Sequence, residues 1–203
     1  MMVVKVPKII QSFSPSLVWK KENSEKEIYL TFDDSPTPKF TLWILNLLSS
    51  LSIKATFFCI GEFAEKHPKI IDEILNKGHQ IGNHTYSHKN GILSSTRTYL
   101  QEIEKCKNVL PKTNLFRPPF GKIYPWQISK IRKEYKIIMW DVLSYDFTKN
   151  ISSNKLKKNI LKNTESGSII VFHDNKKSER ILKGNLEEIL KTLLRRGFKF
   201  GII

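Results

Sequence analysis

Long hydrophobic runs, cysteines and acidic residues are all scarce in this chain of 203 residues. No stretch approaches the roughly 20 apolar residues that cross a bilayer, so we expect no transmembrane segment. The N-terminus lacks the long apolar core and small-residue cleavage site of a secretory signal. If the chain is the full natural product, we therefore expect a cytoplasmic protein, with a cytoplasmic or membrane-proximal substrate.

The chain has only two cysteines, which limits both disulfide and thiolate-metal chemistry. Cys59 lies in an apolar run and Cys106 in a helical pattern, and neither has metal-ligand spacing. We interpret both as small core residues, and nothing in their placement requires an oxidising compartment.

Acidic residues are outnumbered, since 34 lysines and arginines against 19 aspartates and glutamates give a formal charge of +15. Such an excess favours anionic partners, which include nucleic acids, acidic glycans and anionic membranes. The lysines are nevertheless spread along the chain, and we find no arginine-rich arm or recognised nucleic-acid motif. We therefore expect a generally basic surface and no specific nucleic-acid partner.

Strand and helix patterns alternate along most of the chain. Residues 1–27 form an N-terminal segment, and residues 28–203 form a single domain of a length that suits one core. Strands are predicted at 28–32, 55–60, 79–82, just before 117, 135–142, 168–172 and 198–203. Helices are predicted at about 39–51, 68–76, 95–110, 125–134, 154–163 and 185–196. About seven strands alternating with helices indicate a parallel α/β sheet, either a barrel or a doubly wound sheet.

The unusual polar residues gather where these strands end. Active sites of parallel α/β folds are built at the carboxyl ends of the strands, so this placement predicts a functional site. The residues concerned are Asp33, Asp34, His84, His88, Arg117, Asp141, Asp146, His173 and Asp174.

Asp33 and Asp34 follow a buried apolar strand and precede a Ser-Pro-Thr-Pro turn. Two neighbouring carboxylates at such a place are costly unless a metal, an arginine or a substrate holds them. The alternative is an ordinary Asp-capped turn before a helix. The other polar residues at the same predicted edge favour the functional interpretation.

His84 and His88 are four residues apart, a spacing that on one helical turn directs both imidazoles to one cation. Histidines also cap turns and fill cores, which is the alternative. With Asp34 the pair offers two nitrogens and one oxygen. This set suits zinc, with cobalt, nickel or manganese as alternatives, and leaves positions open for water and substrate.

Five motifs in order resemble those of the polysaccharide deacetylases of carbohydrate esterase family four, the NodB-homology domain. They are Thr31 to Pro36, His84 to His88, Arg117 to Gly121, Trp140 to Phe147 and Val171 to Asp174. The resemblance implies a distorted, incomplete (β/α) barrel. It also implies a metal-dependent hydrolase that removes N- or O-acetyl groups from sugars, most often from N-acetylglucosamine units.

The resemblance also implies a role for each matching residue. Asp33 would be the general base, and Arg117 would orient it and keep it ionised. His173 would be the general acid that protonates the leaving amine.

The remaining roles concern the metal and the oxyanion. Asp34, His84 and His88 would hold the divalent metal that activates a water. A backbone N–H near Phe120 would help the cation to stabilise the developing oxyanion.

Three positions depart from the family's pattern. Ser35 replaces a glycine, which would strain the turn if that residue needed a positive φ. Phe120 replaces a tyrosine, although the family uses only the backbone amide of this residue. Leu143 aligns with an aspartate that tunes the histidine acid, and we expect Asp141, on the same strand face, to take over that role.

Substrate contacts are predicted along the same edge. Aromatic side chains near it are candidates for stacking on sugars, with ordinary core packing as the alternative, and Leu143, Val171 and Phe172 are candidates for the pocket of the acetyl methyl. The aromatic candidates are Trp126, Trp140, Tyr145 and Phe147, while Phe120 is predicted to contact the substrate through the backbone N–H described above.

Two other functions compete with deacetylation. Leu143 and Ser35 would permit a catalytically impaired glycan-binding domain that keeps the fold and the metal site. The charge alone would permit a nucleic-acid binder. The family handles peptidoglycan, chitin oligomers, xylan and lipid-linked sugars, and the positive surface fits an anionic or lipid-linked glycan.

Overall fold

A parallel sheet of short strands flanked by helices forms the framework of the described residues, which are 3–12, 14–22 and 25–203 of a computed structural model. The strands within them are β1 (Leu17–Val18), β2 (Glu27–Ser35), β3 (Thr56–Cys59), β4 (Gln80–Asn83), β5 (Leu115–Phe116), β6 (Lys136–Ile138), β7 (Val142–Leu143), β8 (Ile169–His173) and β9 (Lys199–Gly201). The helices are α1 (Lys8–Ser12), α2 (Pro38–Ser50), α3 (Gly61–Lys66), α4 (Pro68–Asn76), α5 (Thr96–Val109), α6 (Pro125–Ile131), α7 (Ser153–Leu161), α8 (Lys176–Lys183) and α9 (Leu186–Arg195), with a 3-10 turn at Pro119–Gly121.

The strand order makes the sheet an incomplete barrel, as predicted. The order is β1-β6-β5-β4-β3-β2-β8-β7, β9 also pairs with β2, and every ladder between strands is parallel. Strands β6 and β7 follow each other in the chain but lie near opposite ends of this order. Residues 139–141 therefore cross from one end of the sheet to the other, which requires the sheet to curl almost closed.

The N-terminal segment is part of the sheet, which its sequence did not predict. Strand β1 pairs with β6, and Lys5 forms an antiparallel bridge with Val142 on β7. A two-residue strand has too few positions to show an alternating pattern, so periodicity could not reveal it. The predicted strand 135–142 is divided into β6 and β7 for the reason given above.

Three short helices, α1, α3 and α8, were also missed. Helix α8 carries many charged residues, and only Ser178 and Leu182 of it are buried. The helix has eight residues, of which Ile181 and Leu182 are apolar, so it is too short for its apolar face to show a repeating pattern. Its position matters because it begins directly after the strand that ends at His173.

The main core lies where the central strands meet the helices. Phe32 on β2 stacks on Phe57 of β3 and Phe172 of β8, with ring centroids 5.2 and 6.0 Å apart. Because both faces of these strands are covered, their sequences are continuous apolar runs rather than alternating ones. Each fully buried aromatic contributes roughly 1.5–3 kcal/mol, so this stack fixes the strands whose ends carry the site.

Both cysteines are free and fully buried, as expected for core residues. Burial raises the pKa of the Cys59 thiol and raises that of Cys106 to about 12, so neither is a thiolate near neutrality. Among the described residues, no helix is long and apolar enough to cross a membrane.

A glycine on β4 makes room for the ring that supports the site from below. A Cβ at Gly82 would lie 2.5 Å from Cε1 of Phe58, and the Phe58 ring in turn stacks under the Arg117 guanidinium at 4.0 Å. We predict that Gly82→Ala lowers the free energy of unfolding by about 1–3 kcal/mol, because the core has no space for the methyl. Denaturant unfolding monitored by circular dichroism measures this.

Gly184→Ala is the matched control, since a Cβ there meets nothing closer than 3.8 Å and the backbone is in the helical region. Its stability should equal or exceed that of the parent protein. Equal stability of Gly82→Ala and the parent would contradict the tight contact.

Candidate active site

A cleft of about 280 Å³ opens at the carboxyl ends of the central strands. Almost all residues predicted for the site line it or lie directly beneath it. The lining residues are Asp33, Asp34, His84, His88, Phe120, Trp140, Leu143, Phe147, Val171, His173, Asn175 and Lys177. Arg117 is fully buried below them, and Asp141 is the residue with a predicted catalytic role that lies elsewhere.

Three side chains in the cleft form a compact group of metal-ligand type. The Oδ1 atom of Asp34 lies 3.7 Å from Nε2 of His84 and 3.2 Å from Nε2 of His88. One donor atom from each residue lies within 4.8 Å of the other two. The predicted triad is therefore brought together.

The backbone that presents the two histidines is not the predicted helical turn. Residues 84–88 form an irregular loop after β4, and Thr85 and His88 have positive φ values of 62° and 55°. The four-residue spacing thus led to the right pair for the wrong reason. The loop is held because the Thr85 amide donates to the Asn83 side chain at 2.9 Å.

The chemistry of this group fits a divalent cation. Oδ1 of Asp34 is buried and accepts no hydrogen bond from the described residues, although both imidazoles are close. Nδ1 of His84 pairs with the carbonyl of Arg117 at 2.8 Å, which leaves its Nε2 for a ligand in the cleft. Two imidazole nitrogens and one carboxylate oxygen are a common zinc donor set with open positions.

The protonation states suit the same interpretation. Burial lowers the pKa of His84 to about 4, so it is a neutral imidazole near pH 7, as metal ligation requires. Burial opposes ionisation of the Asp34 carboxyl, but His88, His173 and His84 outweigh this and lower its pKa. The Asp34 carboxyl is therefore ionised near pH 7 and can ligate a cation.

Asp34 is held in an unusual conformation by a residue that sequence reasoning missed. Its φ is 68°, whereas Ser35 is not among the positive-φ residues, so the strain expected at Ser35 does not arise there. Asn175 Nδ2 donates to Oδ2 of Asp34 at 2.7 Å. The Oδ1 atom of Asn175 accepts the amides of Lys177 and Ser178 at 3.0 Å each and so caps α8.

Asp33 is paired with the fully buried Arg117. The Nη1 atom of Arg117 donates to Oδ1 of Asp33 at 2.6 Å and to the Thr31 hydroxyl at 2.8 Å. Its other nitrogens donate to the carbonyls of Ile138 and Met139. Burial lowers the pKa of Arg117 and Asp33 opposes this, but an arginine remains charged in any protein environment.

Asp146, and not Asp141, holds the predicted histidine acid. Nδ1 of His173 lies 2.8 Å from Oδ1 of Asp146, and the His173 amide donates to Oδ2 at 2.8 Å. Burial alone would lower the pKa of His173, but Asp146, with Asp33 and Asp34, raises it to about 9. His173 is therefore protonated near pH 7, as a proton donor must be.

The prediction for Asp141 is accordingly wrong. Its Oδ2 accepts from the Ser168 hydroxyl at 2.6 Å and lies 3.5 Å from Nζ of Lys5. Residues 139–141 cross between the two ends of the sheet, so alternation along one strand does not apply between 141 and 143. Leu143 lines the cleft, and no substitute for an aspartate at this position is needed because Asp146 supplies the carboxylate.

The side chains predicted for substrate contact fall into two groups. Phe120, Trp140, Leu143 and Val171 line the cleft, and Phe147 joins them with its ring 4.7 Å from that of His173. The Phe120 ring is 59% exposed and meets His88 edge-on, and the Phe120 amide donates to no acceptor among the described residues.

Three other candidates do not line the cleft. Trp126 stacks on Tyr124 and donates to Thr96, while the hydroxyl of Tyr145 donates to Val3. Phe172 belongs to the core stack with Phe32 described above.

Asp174 is a buried carboxyl behind the cleft, to which the sequence assigned no role. Its backbone amide donates to the Asp33 carbonyl, and its carboxyl accepts from the Thr41 hydroxyl on α2. Burial raises the pKa of Asp174 to about 7, while the Thr41 and Ser35 hydroxyls oppose this rise. Asp174 thus ties the end of β8 to the turn after Asp34, and its role is positional.

Comparisons with a family model and with known proteins indicate the same family. A model of the polysaccharide deacetylase family matches residues 20–140. A peptidoglycan-N-acetylglucosamine deacetylase of Bacillus cereus is 36% identical over 186 residues, which cover 87% of this chain and 66% of that protein.

Solved structures agree with the sequence matches. The Bc1960 peptidoglycan N-acetylglucosamine deacetylase superposes with a TM-score of 0.90 at 32% identity, covering 98% of this chain and 95% of that one. A mutant of BA3943 from Bacillus anthracis, described as a CE4-family pseudoenzyme with restored enzymatic activity, gives 0.82 at 25% identity, covering 94% and 70%. The fold therefore occurs in both active and inactive relatives.

The two aspartates near β7 provide a direct test of which one tunes His173. We predict that Asp146→Asn moves the basic limb of the pH–kcat profile to lower pH by about one to three units. The reason is that the pKa of His173 falls from about 9 once the neighbouring charge is gone, and the proton is then lost earlier as pH rises. Initial rates of acetate release between pH 5 and 10 measure this shift.

Asp141→Asn is the matched control. This substitution should leave the basic limb of the pH–kcat profile unchanged. It should instead lower the free energy of unfolding by about 1.5–3 kcal/mol, because a buried charge-assisted hydrogen bond to Ser168 is lost. A shifted limb in Asp141→Asn, with none in Asp146→Asn, would reverse the assignment.

Asn175 can be tested without measuring turnover. We predict that Asn175→Ser weakens zinc binding by about 10- to 100-fold, because the donor that orients the Asp34 carboxylate is lost. Competition with a fluorescent chelator gives the zinc affinity. Serine keeps an oxygen for the cap of α8, so thermal stability should change little. Unchanged zinc affinity in Asn175→Ser would show that Asp34 needs no such support.

Proposed function

Because this chain belongs to the polysaccharide deacetylase family of hydrolases, we propose that it removes acetyl groups from N-acetylglucosamine units of a glycan. The observation that carries the proposal is the meeting of three groups in one cleft. These are an Arg-paired carboxylate, an Asp-His-His cluster and a protonated His-Asp pair. Hydrolysis of an acetamide needs a base, a site for the water and oxyanion, and an acid.

Asp33 is the base in this proposal. Its Oδ1 is held by Arg117, so the carboxylate keeps a fixed orientation and Oδ2 is left to take a proton from the attacking water. The guanidinium also donates to two backbone carbonyls, so its own position beside the carboxylate is fixed. Arg117 is thus a positioning residue.

Asp34, His84 and His88 are proposed to hold a divalent metal, and their donor set favours zinc. When bound, the metal lowers the pKa of a coordinated water and polarises the acyl oxygen. The Phe120 amide, which has no acceptor in the described part of the chain, lies beside the cluster and is proposed to donate to the developing oxyanion.

His173 is the proposed acid. His173 on β8 and Asp33 on β2 are register partners on adjacent strands, so the proposed acid and base face one reaction centre. Asp146 holds Nδ1 of His173, which leaves Nε2 to deliver its proton to the leaving amine. Leu143 and Val171 provide an apolar wall suited to the acetyl methyl.

A glycan-binding domain without catalysis is the second candidate, and the pseudoenzyme relative motivates it. The residues in the cleft favour catalysis because each proposed role has a suitably placed side chain. Relatives are named for peptidoglycan, and one for chitooligosaccharide, so both are candidate substrates.

Acetate release from N-acetylglucosamine oligomers by zinc-loaded protein tests the proposal. We predict that Asp33→Asn lowers kcat by about 10²–10⁴, the usual contribution of a general base. His84→Ala should abolish both zinc binding and turnover. Asp72→Asn, an exposed aspartate on α4, is the matched control and should act like the parent protein.

The two functions give different results. Turnover that Asp33→Asn leaves intact would remove Asp33 from the mechanism. Zinc binding without turnover of any acetylated sugar would favour the non-catalytic domain.

A further inference from the structure

A second depression, which we call the cationic groove, lies beside the cleft. Its volume is about 420 Å³, and it shares Phe147 and Lys177 with the cleft, so the two are continuous. It runs between the loop that follows β7 and the outer face of α8. The lining residues are Asp146, Phe147, Thr148, Lys149, Asn150, Ile151, Lys177, Arg180 and Ile181.

Three cations line this groove, and none is neutralised. Lys149, Lys177 and Arg180 are exposed, and none has a carboxylate within 4 Å among the described residues. Unpaired lysines occur elsewhere on the basic surface as well. The groove differs from that surface because three such cations line one depression that continues into the cleft.

The acids near the groove are already engaged. Asp146, the acidic residue in its lining, gives both oxygens to His173 and also accepts from Ser144. Glu179, the acid next to Arg180 on α8, pairs with Lys183 at 2.7 Å. The three cations are therefore available to bind an anion from outside the chain.

The position of the cations relative to the cleft is also fixed. Lys177 and Arg180 are three residues apart on α8 and so project from neighbouring positions of one helix face. The first turn of α8 is capped by Asn175, whose amide also holds Asp34. The distance between the groove and the cluster around Asp34 is therefore fixed through one side chain.

We propose that the cationic groove binds an anionic substituent, a carboxylate or a phosphate, on the sugar next to the one whose acetamide occupies the cleft. The inference rests on the proposed function, since that function places the acetamide between Asp33 and His173. Phe147 forms a wall of both spaces, so a disaccharide that crosses it reaches from one to the other. The substrate class is then an anionic glycan and not a neutral one.

Calorimetric binding to the zinc-loaded full chain tests this, in an Asp33→Asn background so that no ligand is consumed. The probes are a disaccharide of N-acetylglucosamine and a carboxyl-bearing N-acetylhexosamine, its neutral methyl amide, and a phosphorylated chitobiose. The first and third distinguish a carboxylate from a phosphate. We expect the tighter anion to bind about tenfold better than the neutral amide, a preference that weakens with salt.

Variants assign the preference to the groove. Lys149→Gln/Arg180→Gln should remove most of it, and adding Lys177→Gln should remove the rest. Lys136→Gln is the control and should keep the full preference. Lys136 is exposed, has no carboxylate partner among the described residues, and lies at the start of β6, which is separated from β7 by five strands in the sheet order.

Equal binding of charged and neutral disaccharides would overturn the inference, as would a preference that survives the triple substitution. Acetate release from the two anionic disaccharides and from neutral chitooligosaccharide by the parent protein is measured alongside. Release from any of these substrates, without a charge preference in binding, would reject the groove alone. A charge preference in binding, with release from none of them, would support the groove and reject deacetylation.

Discussion

The buried pair of Arg117 and Asp33 is the interaction on which the site depends. A fully buried guanidinium is costly, and here it is offset by five contacts: one carboxylate, one hydroxyl, two carbonyls and the face of Phe58. Breaking such a pair from one side typically costs about 3–5 kcal/mol. The backbone carbonyl of Arg117 also contacts Nδ1 of His84 and so sets the orientation of that ring in the Asp-His-His cluster. One residue thus links the proposed base to a proposed metal ligand.

Two histidines near this pair have opposite properties, which follow from their surroundings. His84 is fully buried, and burial lowers its pKa to about 4. His173 faces Asp146, which raises its pKa to about 9 in spite of burial. Near pH 7 His84 is therefore a neutral imidazole and His173 is protonated, as their proposed roles of metal ligand and proton donor require. Separating the pKa values of similar groups in this way is how one site performs both acid and base chemistry.

Much of this was predictable because parallel strands bring their carboxyl ends to one edge. Placing Asp33, Asp34, His84, Arg117 and His173 at strand ends was enough to collect them in space. The sequence did not reveal that Asp146, and not Asp141, contacts His173. That contact depends on residues 139–141 crossing between the two ends of the curled sheet. Asn175 was missed because the helix that it caps has eight residues, too few to show a repeating apolar pattern. The loop at 84–88 depends on positive φ values, which the side-chain pattern does not indicate.

The central claim is that the Asp34, His84 and His88 cluster holds one divalent cation on which hydrolysis depends. The most direct test is to strip the protein with a chelator and titrate zinc back while following acetate release from N-acetylglucosamine oligomers. We predict no acetate release from the metal-free protein and a linear recovery that ends at one equivalent of zinc per chain. Full release by the stripped protein, or a recovery that needs two equivalents, would contradict it.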